Sequence, residues 1–219
     1  MVPLVPVPVL ALTVIMLVRA RFREDRRQEY VLKPASTLLV IGVALLSFLT
    51  PGVRPTYTLW ITLGLILSMG GDVALMLRTN RWFLIGLVLF LLAHVVYSIT
   101  FAVFSGFHPQ DLISAAVLLI VAMAVYLYLR PGLGSMKVPV ILYMLVICFM
   151  VNRAVSTFFG TAFSMTQVWL IAAGAILFWL SDLMLAVNRF RRPSKWQAMG
   201  LFLYYGGQLL IALSPSYFL

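Results

Sequence analysis

The chain has 219 residues, of which 63% are hydrophobic and 10% charged, with a net charge of +10. A soluble domain of this size carries about 25% charged residues, so too few charges remain to coat a water-facing surface, and one membrane domain over 1–219 uses the whole length. The basic excess would suit a nucleic-acid binder, but the basic residues fall between apolar runs rather than on one polar face, which excludes nucleic acid as a partner.

A bilayer core about 30 Å thick needs about 20 apolar residues per helix. Eight runs qualify, near 2–18, 34–50, 57–77, 82–104, 111–129, 138–156, 166–188 and 197–213. The first lacks a basic leader and a small-residue cleavage site, so it reads as a retained helix rather than a signal peptide. Pro3, Pro6 and Pro8 make its first turn irregular. Runs one, two and eight are short and are expected to be tilted or partly interfacial. Breaks fall at Pro51-Gly52, Gly106 to Pro109, Pro131-Gly132 and Pro193. The connections are short, which favours antiparallel neighbours. The expected fold is therefore all-α and polytopic, with eight transmembrane helices. The one cysteine, Cys148, lies inside an apolar run and excludes an intrachain disulfide.

Charge sorts the loops. Every Lys and Arg except Arg54 and Arg153 falls before run two or in the loops after runs three, five and seven. This bias puts the odd-numbered loops in the cytoplasm and both termini outside. An internal repeat is also visible. Gly71-Asp72-Val73-Ala74-Leu75 recurs as Ser181-Asp182-Leu183-Met184-Leu185, 110 residues on. Trp82, Gly86, Phe90 and His94 share their spacing with Trp196, Gly200, Tyr204 and Gln208. Halves of four helices each, 1–110 and 111–219, would be parallel, related by an axis along the membrane normal.

Of the six acidic residues, Glu24, Asp25 and Glu29 lie in the first basic loop and read as solvated. Asp111 suits a helix N-terminus, where its charge meets the dipole. Only Asp72 and Asp182 lie within apolar runs. An ionisable group at membrane depth is a functional candidate by default, against the plainer reading of a bonded structural pair. Asp72 is six residues before Arg78 and Asp182 seven before Arg189, so each lies roughly 9–10 Å below the basic loops at 1.5 Å per residue. His94 and Gln208 lie roughly 20 Å in, and Tyr97 and Tyr204 share their faces. One cavity lined by these groups and open to the cytoplasmic leaflet is expected. Paired carboxyls at membrane depth suit acid and base roles. Two Asp and one His are few ligands for a metal, so no metal or cofactor is expected. No Gly-x-Ser-x-Gly, His-Glu-x-x-His or phosphate loop occurs. Ser181 precedes Asp182 without a histidine near it in sequence, which makes a serine nucleophile a minor option.

At these residues the sequence resembles the YhhN/TMEM86 family of membrane proteins, which includes the lysoplasmalogenases. The resemblance is carried by Gly71-Asp72 with Leu75, by Gly86, Phe90, His94 and Tyr97, and by Gly174-Ala175 with Phe178. Ser181-Asp182, Tyr204-Tyr205 and Gln208 add to it, as do Lys33-Pro34, Pro139 and Tyr143. It runs from about residue 30 to the C-terminus. It implies hydrolysis of the vinyl ether of a lysoplasmalogen, a lysophospholipid held in the membrane, to a fatty aldehyde and a glycerophospho-alcohol. Asp72 and Asp182 would then be catalytic. His94, Tyr97, Ser181, Tyr204, Tyr205 and Gln208 would support them or bind substrate. Lys33, Arg78 and Arg189 are candidates for the phosphate, against their plainer role in topology. The rival class is a proton-coupled transporter, which paired membrane carboxylates and parallel repeats also suit.

Overall fold

The computed structural model of the chain describes residues 2–77, 79–192 and 197–218, with the Gln197 side chain left aside. Arg78, Pro193, Lys195 and Trp196 lie outside the described residues. Eight α-helices follow in order: α1 Val7–Phe22, α2 Arg26–Leu46, α3 Pro55–Met76, α4 Asn80–Ser105, α5 Asp111–Leu129, α6 Lys137–Ser156, α7 Met165–Phe190 and α8 Gln197–Leu213. No strand occurs among the described residues. All eight are long and apolar enough to cross a bilayer once short 3-10 turns at the ends of α1, α2 and α8 are counted. Run one gains length because α1 continues to Phe22, run two because α2 starts at Arg26, and run eight from the turn Ser214–Tyr217 beyond it.

The largest departure from the sequence reading is α2, which begins eight residues before its apolar run. Asp25 caps it, accepting a hydrogen bond from the Gln28 amide, as a short acceptor side chain does at this position. The helix then continues through Pro34. Its polar first turns therefore stand as helix rather than loop. Glu29 is consequently not solvated. It is 8% exposed and paired with Arg21 at 2.7 Å.

Two hairpins, α3–α4 and α7–α8, are the tightest units of the bundle. Small residues let their backbones approach, as in membrane helix pairs generally. A Cβ on Gly71 would lie 2.6 Å from the Phe90 ring, and one on Gly64 would lie 2.3 Å from the Tyr97 ring. A Cβ on Gly86 would sit 3.2 Å from the Gly71 carbonyl oxygen, and one on Gly200 would sit 4.0 Å from that of Ser181. Aligned positions thus meet in both hairpins. α4 packs on α6, and α8 packs on α2. α5 is the most lipid-exposed of the eight, with 17% of its apolar window buried.

At the end of the bundle opposite the basic loops, Arg153 on α6 is 1% exposed. Its guanidinium lies 2.5 Å from the Asp111 carboxylate, bonds Asn152 and the Gly106 carbonyl, and covers the Phe107 ring at 4.3 Å. Asp111 also accepts from the His108 amide, so it closes the turn before α5 as well as opening that helix. Removing one member of a buried pair strands the other, at a cost of about 3–5 kcal/mol. Arg153→Met is expected to lower unfolding stability in detergent by that amount. The specific activity of the folded fraction should hold, since the aspartate cavity lies at the other end.

Candidate active site

A polar cavity of about 750 Å³ opens among α1, α2, α3, α4, α7 and α8 at the end carrying the basic loops. Asp72 from α3 and Asp182 from α7 both line it, with Ser181 and Tyr204. The two carboxyls therefore face a common space. The helices converge here for a local reason. The glycine contact at 71 brings α4 against α3 next to Asp72, and the aligned contact at 200 does the same for α8 beside Asp182.

Asp72 is 1% exposed and held from two other helices. The Lys33 ammonium is 2.9 Å from Oδ1. Oδ2 accepts from the Thr37 hydroxyl at 2.8 Å and from the Tyr204 hydroxyl at 2.8 Å. Such charge-assisted hydrogen bonds contribute about 1.5–3 kcal/mol each. Together they offset a desolvation cost of several kcal/mol for an ionised carboxylate. Lys33 and Thr37 are one turn apart on α2, which puts them on the same face. Tyr205 buttresses that face, donating to the Lys33 carbonyl at 2.9 Å and meeting the Thr37 hydroxyl at 3.3 Å.

Asp182 is built differently. Its Oδ2 accepts a hydrogen bond from the Tyr143 hydroxyl of α6. No cation pairs with it among the described residues. It is half-buried rather than sealed, and it faces both the cavity and an apolar slot behind it.

The other expected lining residues stand behind the wall. Tyr97 donates to Gln208 Oε1 at 3.2 Å, and Gln208 Nε2 donates to the Tyr204 hydroxyl at 3.3 Å. They form a chain ending on Asp72. His94 is fully buried, and neither ring nitrogen has a hydrogen-bond partner among the described residues. Its ring instead packs edge-on against Phe178 at 4.7 Å and Tyr143 at 5.3 Å. The expectation of one cavity lined by all these groups is therefore corrected. Two carboxyls, Ser181 and Tyr204 reach the space, while Tyr97, Tyr205 and Gln208 brace them. The mismatch follows from depth: groups roughly 20 Å in lie where the bundle closes.

Of the phosphate candidates, Arg78 lies outside the described residues. Lys33 lines the cavity but its charge is already engaged by Asp72. Arg189 stands at the mouth, donating to Asn80 Oδ1 at 2.6 Å with its guanidinium over Phe83. The mouth also holds residues of the first basic loop. Glu24 takes φ 57° in the tight α1–α2 turn, a left-handed conformation uncommon outside Gly, Asn and Asp. That turn brings Arg21, Glu24 and Glu29 to the rim. Thr37 escaped the sequence reading, and Tyr143 entered it only through resemblance. A signal existed for each. Thr37 is one turn past Lys33, and Tyr143 is six residues past Lys137, the depth of the aspartates below their own basic loops. Among the described residues no three His, Cys, Asp or Glu side chains converge as metal ligands would.

The chain is 32% identical over 158 residues to lysoplasmalogenase TMEM86A of Bos taurus, covering 70% of this chain and 64% of that protein. The Homo sapiens protein of the same name gives the same identity and coverage. A lysoplasmalogenase homolog of Dictyostelium discoideum is 28% identical over 210 residues, covering 78% of this chain and 68% of that protein. The chain thus spans a little under two thirds of the length of the bovine and human relatives. No solved structure matches it. Residues 28–215, which hold both aspartates and every side chain bonded to them, match the YhhN family, and the chain, an integral membrane protein with eight apolar helices, belongs to that family.

Proposed function

We propose that this protein hydrolyses the vinyl ether bond of lysoplasmalogens, releasing a fatty aldehyde and a glycerophospho-alcohol. The observation that carries this reading is the pair of unlike aspartates lining one polar cavity. Relatives named lysoplasmalogenase support the substrate class.

Vinyl ether hydrolysis needs a proton donor at carbon, a carboxylate beside the resulting cation, and a base for water. Asp182, with no cation against it among the described residues, delivers its proton to the alkenyl carbon one removed from the ether-bearing carbon. The π electrons form the new C–H bond and leave an oxocarbenium ion. Asp72, held by Lys33, Thr37 and Tyr204, is the carboxylate that stabilises this cation, as paired carboxyls do in glycoside hydrolysis. Water adds to the ether-bearing carbon and gives up a proton to a carboxylate of the pair. The hemiacetal then collapses, expelling the glycerol oxygen as an alcohol. Arg189 at the mouth takes the phosphate.

The basic end faces the cytoplasm in this reading, with both termini on the other side, following the charge bias of the loops. The equivalent hairpin contacts, and the crossed packing of α4 on α6 and α8 on α2, support two related halves. A transporter finds less support, because Tyr97 and Gln208, deeper than Tyr204, are bonded to one another, and His94 is sealed against Phe178 and Tyr143.

Purified protein in detergent, given a lysoplasmalogen and an ester-linked lysolipid with the same head group, tests the reading by mass spectrometry. Fatty aldehyde from the first and no fatty acid from the second is expected. No aldehyde, or ester cleavage instead, would sink it. Detergent abolishes sealed compartments, so a transporter would give no product.

A further inference from the structure

Asp182 has a second neighbourhood. Behind it lies a slot of about 60 Å³ between α4, α5, α6 and α7, with Leu75 of α3 at its edge. Asp182 is the one charged residue lining it among those described. Its walls include Leu87 from α4, Ala122 and Val125 from α5, Ile147 from α6 and Trp179 from α7. Phe90 and Leu185 line both this slot and the polar cavity, so the two spaces share a wall in which Asp182 is the polar point.

The slot has a direction. Towards the basic end it is closed by Leu129, Leu133 and Val140, which form a small core with Phe190. From Asp182 it runs the other way, to Trp179, Ile147 and Ala122. Ile147 is ten residues into α6, or roughly 15 Å from its basic end. A hydrocarbon tail takes that course from a head group anchored at the basic end. Val125, Leu183 and Ala186 on the slot's outer side are only half-buried, which leaves a lateral gap to lipid between α5 and α7. The volume is a few times the ~10–15 Å³ that one water needs by the same measure. It suits the first methylenes of a chain whose remainder leaves through the gap. An apolar space of this kind stays dry and takes hydrocarbon.

We propose that this slot seats the hydrocarbon tail of the lipid substrate, and that its junction with the polar cavity at Asp182 selects which bond of the amphiphile reacts. The bond selection rests on the hydrolase reading above; the seat does not need turnover to be tested. A tail gains little hydrophobic free energy on leaving lipid for a slot, because lipid is equally apolar. The slot therefore contributes position rather than affinity. Filling it is expected to lower kcat about 100-fold, the scale of a displacement of about 1 Å at a reacting centre, with KM little changed.

The test uses full-length protein in lipid nanodiscs with Trp60, Trp82, Trp169 and Trp196 replaced by Phe, leaving Trp179. The probe is an alkyl-ether lysophospholipid, which has no vinyl ether to cleave, brominated either near the ether oxygen or at the tail end. Bromine near the ether should quench Trp179 more than tail-end bromine, and more than a brominated diacyl lipid at equal mole fraction. Ala122→Leu should remove that excess. So should Ala186→Phe, whose half-buried site tolerates a larger side chain if the first variant fails to fold. Equal quenching by all three lipids, or an excess that survives both variants, overturns the seat. Excess quenching without aldehyde release from a vinyl ether substrate keeps the seat and sinks the reaction. Aldehyde release without excess quenching sinks the seat alone.

Discussion

Replacing Asp182 by asparagine is expected to lower aldehyde release about 10²–10⁴-fold, the usual contribution of a general acid, while the protein stays folded. Asparagine keeps the shape of the side chain, and its carbonyl oxygen can still accept the Tyr143 hydroxyl that bonds Asp182. Only the transferable proton is lost. In energy the change is about 3–5 kcal/mol of barrier. Single-turnover release read by mass spectrometry, beside a thermal unfolding scan, separates chemistry from folding. A variant that is folded and within a few-fold of wild type would remove Asp182 from the mechanism.

The second large effect concerns Asp72 and falls on stability as well as activity. Asp72→Asn leaves the Lys33 ammonium, whose side chain is 15% exposed, without its carboxylate partner. Stranding one member of a buried pair costs about 3–5 kcal/mol, so the unfolding transition should drop and activity should vanish. Adding Lys33→Met removes the stranded charge. The double variant is expected to regain much of the lost stability and none of the activity. That divergence isolates the ion pair, because neighbouring groups couple and the cycle measures their coupling. A double variant no more stable than Asp72→Asn would mean that the pair is not what the single change breaks.

Much of this molecule is legible in its sequence because the bilayer enforces length and charge rules that few residues can evade. The eight runs needed only the requirement for about 20 apolar residues per crossing. Asp72 and Asp182 stood out as the only acids inside those runs. What was not legible lies between helices. The run Arg26 to Lys33 is polar enough to read as loop, yet the Asp25 cap starts a helix there, and that places Lys33 and Thr37 one turn apart facing Asp72. Glu29 looked solvated for the same reason. His94 shares its spacing with Gln208, but only Gln208 finds polar partners. The neighbours that decide this, Phe178 and Tyr143, come from α7 and α6. The slot behind Asp182 is drawn from five helices, and along any one of them its residues look like ordinary lipid-facing or core positions.

The reaction run in heavy water tests the central claim most directly. If a carboxyl protonates the alkenyl carbon, aldehyde trapped at once as an oxime should carry a single deuterium on the carbon beside the carbonyl, and the Asp182→Asn protein should release almost none of it. Aldehyde bearing no deuterium at that carbon, or labelled aldehyde formed at the wild-type rate without Asp182, would contradict the account.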